Sequence, residues 1–207
     1  TNLLVEACGI YSFAGNIYDS SGIYVDSLIA ISGCDSIVIL DLTISDNLSA
    51  SAVVSNVLCN GDSTGQIDLS AGLGIPPYTY QWSNGLTIQD ISQLFGDSLY
   101  SCLITDSFGC FLDTSFLITQ PSKIIVNSLV NNIACYGDST GSITLNISGG
   151  INPYYLDWGS NDTNNLIAGF YNYNVIDSNG CLLQDSVEVL QEDLSLIHIS
   201  EPTRPMN

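Results

Sequence analysis

Cys59-Asn60-Gly61-Asp62-Ser63-Thr64-Gly65-Gln66-Ile67-Asp68-Leu69 returns 76 residues later as Cys135-Tyr136-Gly137-Asp138-Ser139-Thr140-Gly141-Ser142-Ile143-Thr144-Leu145. At the same shift Pro77-Tyr78 meets Pro153-Tyr154 and Trp82 meets Trp158. After a deletion of five residues, Asp106-Ser107-Phe108-Gly109-Cys110 meets Asp177-Ser178-Asn179-Gly180-Cys181. Landmarks kept in the same order in two copies are the mark of tandem modules. One module therefore spans 46–121 and a second 122–193, joined at Gln120-Pro121-Ser122, with residues 1–45 as an N-terminal β module.

Inside a repeat, short runs rich in Val, Ile, Thr and Tyr are broken by Gly, Asn, Asp and Pro clusters, which is the pattern of strands and turns. The first repeat predicts strands near 50–57, 66–71, 78–82, 86–88, 98–105 and 110–118, with Asn84-Gly85 as a hairpin turn. The second repeat follows at the shifts given. The fold class is all-β: tandem small antiparallel β-sandwich modules, immunoglobulin-like in architecture. The 23-residue spacing from Cys59 to Trp82 departs from that of antibody domains.

The chain has 207 residues, of which 21 are Asp or Glu and 2 are Lys or Arg, for a net charge of −19. Such a surface repels phosphate backbones, so nucleic acid is excluded as a partner. With 45% hydrophobic and 11% charged residues the chain is too apolar for a disordered acidic tail, and no apolar run is long enough to insert in a membrane. Residues 194–207, beginning Leu194-Ser195-Leu196-Ile197-His198, resemble the in-frame translation of a transposon mosaic end and a sequencing-library adapter, and are expected to be non-native. Without them the chain has no His, Arg or Met and a single basic residue, Lys123, so it reads as an internal fragment of a longer frame.

The landmarks Cys-x-Gly-Asp-Ser-Thr-Gly, Pro-Tyr, Trp and Asp-Ser-x-Gly-Cys resemble the SprB-type repeat of gliding-motility and surface adhesins of Bacteroidetes-like bacteria, over residues 46–193. Ser21-Gly22-Ile23-Tyr24 followed by Gly33-Cys34-Asp35-Ser36 resembles the Gly-Cys-Asp-Ser modules of similar giant surface proteins. The resemblance implies a multi-module protein on the cell outer surface, structural or adhesive and non-catalytic. Contact with surface polysaccharide is the alternative. Seven cysteines without Cys-x-x-Cys spacing agree with an oxidising, extracytoplasmic compartment.

Asp-Ser-Thr-Gly, present at Asp62 and Asp138, resembles an aspartic-protease loop but carries an extra residue between Asp and Gly and follows Cys-x-Gly instead of an apolar strand. It reads as a turn in which Gly65 and Gly141 supply positive φ. Nucleophilic triads need an imidazole that residues 1–193 lack. A glycosidase needs only two carboxylates, but modules this small rarely hold a deep sugar cleft. No catalytic residue is assigned. Trp82 and Trp158, with Tyr78, Tyr80, Tyr154 and Tyr155, read either as core or as a platform for sugar rings. Alternation puts Tyr78, Tyr80 and Trp82 on one side of a strand, which favours core.

Self-comparison sets Cys59 and Cys110 against Cys135 and Cys181. If the modules fold independently, the disulfides are Cys59–Cys110, Cys135–Cys181 and, in the N-terminal module, Cys8–Cys34. Cys102, which corresponds to Tyr173, is left as a free strand-borne thiol. Mutual repulsion among the carboxylates should be relieved by cations, either through screening by any salt or through calcium held at Asp62 and Asp138, with Asp68 aiding the first.

Overall fold

The computed structural model describes residues 1–28, 36–159 and 162–191, which form strands, turns and loops without a helix. Residues 192–207, with the adapter-like segment, lie outside the described residues, as does Cys34. The chain divides between Gln120 and Pro121 into two compact units.

The first unit opens with β1 (Asn2–Cys8), β2 (Tyr11–Phe13), β3 (Asn16–Tyr18), β4 (Gly22–Leu28) and β5 (Ser36–Ser45). The long β5 is the centre of a three-stranded sheet, antiparallel to β4 and parallel to β1. The parallel pair departs from the all-antiparallel expectation. Val38, Leu40 and Leu42 on one face of β5 are buried, while Ile37, Ile39 and Asp41 on the other are exposed, the period-2 pattern of a strand with one covered face. The β2-β3 hairpin completes this module.

The first repeat follows as β6 (Ser49–Ser55), β7 (Gly65–Gly72), β8 (Thr79–Trp82), β9 (Ile91–Leu94), β10 (Ser98–Thr105) and β11 (Phe111–Ile118). Two antiparallel sheets form, in the order β6-β7-β9 and β11-β10-β8. The chain changes sheet at β7 to β8, at β8 to β9 and at β9 to β10, and closes with the β10-β11 hairpin. Inward residues of both sheets meet in one core of Val57, Ile67, Leu69, Trp82, Ile91, Leu94, Cys102, Ile104 and Ile118.

The second unit repeats this design in β12 (Ile125–Asn131), β13 (Gly141–Ser148), β14 (Tyr155–Asp157), β15 (Asn164–Leu166), β16 (Gly169–Ile176) and β17 (Leu182–Val189). Its sheets are β12-β13-β15 and β14-β16-β17, and its core includes Ile133, Ile143, Tyr173, Val175 and Val189.

Two expectations are corrected. Asn84-Gly85 does make a tight turn, with Gly85 N donating to Trp82 O, but 86–88 is not a strand and the chain crosses to form β9 against β7. Side-chain bonds to the far sheet impose this: Trp82 Nε1 donates to Ile88 O, Gln89 Nε2 to Leu69 O, and Leu69 N to Asp90 Oδ1. Gly65 and Gly141 do not have positive φ; that role falls to Gly61 and Gly137, at +86° and +84°. Gly65 and Gly141 instead begin β7 and β13 where an added Cβ would stand 2.8 Å from Ile118 Cγ2 or 2.7 Å from Val189 Cγ1, so they are packing glycines.

Trp82 is 2% exposed and lies opposite Cys102 in the β8-β10 ladder. Trp158 is half-buried and packs on Tyr173 with ring centroids 5.3 Å apart. Where the first repeat has Trp over a small thiol, the second has Trp over Tyr. Tyr78, Tyr80 and Tyr154 are half-buried against the cores, and only Tyr155 points outward. Trp82→Ala should cost about 3–5 kcal/mol, read as a lower denaturant midpoint. Phe111→Ala, at a side chain 73% exposed, should stay within about 0.5 kcal/mol. Equal effects would show that Trp82 is not a core residue.

Candidate functional site: an Asp-Cys junction

The β10-β11 hairpin turns through Asp106-Ser107-Phe108-Gly109. Gly109 N donates to Asp106 O at 3.1 Å, Asp106 N donates to Cys110 O at 2.9 Å, and Gly109 has φ +80°. This is a β-turn closed by a residue in the left-handed region, which explains why Gly precedes Cys. The Asp106 carboxylate folds back into the loop. Its Oδ1 accepts from Phe108 N and Cys110 N, both at 2.9 Å, and its Oδ2 accepts from Ile75 N at 3.1 Å and Ser45 Oγ at 2.7 Å. Ser107 Oγ donates to Ile75 O at 2.9 Å, fastening the same neighbouring loop.

The second repeat builds the turn again. Asp177 Oδ1 accepts from Asn179 N and Cys181 N, its Oδ2 accepts from Ile151 N at 3.0 Å, and Ser178 Oγ donates to Ile151 O. Asp106 is 6% exposed and Asp177 4%. Burial alone raises a carboxyl pKa, but the Ser45 hydroxyl and the amides of Ile75, Cys110 and Phe108 outweigh it and hold Asp106 below the ordinary carboxylate value. At Asp177, burial is likewise outweighed by the amides of Cys181, Ile151, Asn179 and Gly180.

In the first unit this turn is a junction. Cys110, next to the carboxylate, is disulfide-bonded to Cys8 with Cα atoms 5.6 Å apart, across 102 residues of sequence. Cys8 ends β1, in register with Ser45 at the end of β5, and the following Gly9 N donates to Ser45 O. Two adjacent links, one covalent and one a charge-assisted hydrogen bond from Ser45, therefore join the end of the N-terminal sheet to the leading end of the first repeat.

Cys59 occupies the other end of its repeat. It opens a turn in which Asp62 N donates to Cys59 O at 3.1 Å, Gly61 N donates to Gln120 Oε1 at 2.8 Å, and Val57 N donates to Thr119 O just beyond β11. Cys135 opens the equivalent turn, with Asp138 N donating to Cys135 O, Gly137 N to Gln191 Oε1, and Ile133 N to Leu190 O.

The expected pairings are corrected accordingly. Cys8 pairs with Cys110 instead of Cys34, which removes Cys59–Cys110, and Cys135 is free and exposed, which removes Cys135–Cys181. The reason is dimensional. β11 separates Cys110 from Thr119 beside the Cys59 turn, roughly 30 Å at about 3.3 Å per residue, so the two cysteines of a repeat lie at opposite ends. Cys59 and Cys181 are disulfide-bonded. Cys102 is the free thiol expected, fully buried, and burial raises its pKa.

Asp62 and Asp138 are exposed in their turns, and Asp68 is an outward residue of β7. Among the described residues no group of three or more His, Cys, Asp or Glu is placed to hold a metal. Sequence reasoning missed Asp106, Asp177 and Ser45. The available signal was that Asp106 and Asp177 are landmarks of both copies and stand in front of Gly-Cys.

Residues 51–87 and 127–163 match the SprB repeat family. Each match lies within one of the two repeats read from the sequence. A search of curated proteins finds no match. Among solved structures the chain is similar to the N-terminal eight Ig domains of Down syndrome cell adhesion molecule, at 10% identity and TM-score 0.44, covering 89% of this chain and 31% of that one. It thus spans about a third of that protein's resolved length. It is also similar to titin domains I67–I69, at 7% identity and TM-score 0.40, covering 93% and 96%, and to domains 7, 8 and 9 of the S-layer protein SbsC, at 9% and 0.25, covering 83% and 70%. The fold of the SprB-matching repeats is the all-β sandwich described above.

Replacing Asp106 by Asn puts an NH2 group where amide donors converge and should destabilise the first unit by about 1–3 kcal/mol, the cost of a buried unsatisfied polar group. Since both folded carboxyl pKa values are depressed, their stabilisation is present above the ordinary carboxylate pKa, about 3.9, and is lost as pH falls through the lower folded values. Chemical denaturation between pH 7 and 2 should show stability falling below about pH 4, with a shallower fall in Asp106→Asn. An unchanged slope would mean that Asp106 is not charged in the folded state.

Proposed function

We propose that the chain is a non-catalytic, load-bearing stretch of an extracellular surface adhesin of the gliding-motility kind, in which tandem sandwiches supply reach and resist being pulled apart. The observation that carries this reading is the junction of Cys8–Cys110 and Ser45–Asp106, a covalent bond and a buried hydrogen bond made side by side between successive modules. The SprB repeats and the disulfides favour the cell surface, where the compartment is oxidising. The buried carboxylates support a structural role, because Asp106 accepts four hydrogen bonds and has no oxygen left over for a substrate. An aromatic platform for surface polysaccharide is not favoured at Trp82, whose ring lies in the core.

Pulling the full chain from its ends by force spectroscopy tests the load-bearing role. The Cys8–Cys110 bond closes a loop across a sequence separation of 102 and withholds it from extension. Reductant also opens the disulfides of Cys59 and Cys181, so at about 3.4 Å per residue reduction should add at least roughly 350 Å to the contour length released on unfolding. Identical contour lengths with and without reductant would overturn the reading.

The acidic surface is proposed to be stabilised by screening. Calcium takes roughly six to eight oxygen ligands, while each Asp62-type turn brings one exposed carboxylate. Calcium, magnesium and sodium chloride at matched ionic strength should therefore raise the melting temperature equally. A larger calcium effect abolished by Asp62→Ala would establish a specific site instead.

A further inference from the structure

Each repeat has a cysteine at each end. The Gly-Cys cysteine sits at the leading end, where Asp106 binds Ser45 in the first repeat and where, in the second, Gly150 N beside Asp177 donates to Ser122 O. The Cys-x-Gly-Asp cysteine sits at the trailing end, where the chain leaves the repeat through Gln120 or Gln191. The Cys8–Cys110 bond shows what the leading-end cysteine does: it receives a thiol from the trailing end of the module before it. At the trailing end of the first repeat, Cys59 is also disulfide-bonded. Within the repeat Cys110 is joined to Cys8 and Cys102 is free. Cys135 stands in the same turn as Cys59, with the same glycine conformation and the same glutamine clasp, yet it is free and exposed.

We infer that Cys135 is the outgoing half of an intermodular disulfide, and that its partner is the Gly-Cys thiol at the leading end of a further repeat of this kind. The turn is already built to the form that is bonded in the first repeat, so what the site lacks is the partner sulfur. The chemistry is thiol–disulfide exchange with an oxidising disulfide, either a disulfide-exchange protein or oxidised glutathione. The Cys135 thiolate attacks one sulfur of the oxidant and its other sulfur leaves as a thiolate. The partner thiolate then displaces the remaining oxidant sulfur from Cys135. Two thiol protons are lost, one S–S bond forms, and the oxidant takes the two electrons as a dithiol or two thiols. This inference concerns linkage alone and stands whether or not the array adheres to anything.

The test is the full chain to Gln191 with a second copy of residues 122–191 joined directly after it, refolded with oxidised and reduced glutathione. A parallel version carries residues 46–121 as the appended repeat, in case one copy fails to fold. Each copy's folding is read from its own melting transition. Non-reducing peptide mapping should find Cys135 joined to the Gly-Cys cysteine of the appended repeat, and alkylation of Cys135 by iodoacetamide should fall at least about tenfold from the unextended chain. In Cys135→Ser the appended Gly-Cys thiol should become alkylatable. Alkylation of Cys135 at the same rate with and without a folded appended repeat would overturn the inference, as would Cys135 linking only two separate chains.

Discussion

A carboxylate buried in a tight turn organises each repeat. Asp106 and Asp177 each gather amide donors from the hairpin that follows and from the loop ahead of β8 or β14, so one side chain fixes the turn, the neighbouring loop and the direction in which the next cysteine is presented. In the first repeat it also receives Ser45, which makes it the point where module folding and module joining meet. Hydrogen bonds from neutral amides to a desolvated anion are among the stronger ones in a protein, and each is needed because an anion left short of donors in that environment is costly. The glycine after the turn and the small size of the interior at Gly74, where a Cβ would stand 3.0 Å from Asp106 Oδ2, follow from the need to bring backbone amides that close.

The strands were largely legible in the sequence because period-2 alternation reports a half-buried sheet directly. β10 falls on the 98–105 expected, β7 is longer than expected by a residue at each end, and β11 starts one residue later. Leu86-Thr87-Ile88 misled because its local pattern is strand-like while its course is set by Trp82, Gln89 and Asp90 reaching to other segments, which no local pattern encodes. The paired landmarks were visible, but their meaning was not. Asp62 and Asp138 drew attention because they sit in a loop of familiar composition, whereas Asp106 and Asp177, in an equally repeated loop, hold the structure. What separates them is burial, which depends on tertiary packing.

The disulfides show where a reasonable physical premise failed. Independent folding of modules calls for pairing within each, yet a cysteine pair must have its Cα atoms within about 7 Å, and β11 keeps the two ends of a repeat far apart. Once the ends are located, the same sequence reads differently. A cysteine at each end of a module cannot staple it internally, and in the first repeat Cys110 joins the module ahead through Cys8. The N-terminal sheet fits this logic despite its different topology, because its parallel β1 delivers Cys8 to the same edge as Ser45, from which the chain enters the first repeat.

The shortage of cations shapes how such joints can be made. With 21 acidic residues against 2 basic ones, and Lys123 the sole basic residue before the C-terminal segment, the chain has few cations from which to build salt bridges between successive modules. The chain uses what is left: hydroxyl and amide dipoles fixed around a buried carboxylate, and a sulfur–sulfur bond. Neither depends on mobile ions. Exposed carboxylates repel one another over about a Debye length, so the surface responds to ionic strength. Buried Asp106, sheltered from solvent and neutralised by fixed dipoles, is screened far less. Acidity and joining are thereby separated: salt can change how strongly the surface repels itself while leaving the first junction intact.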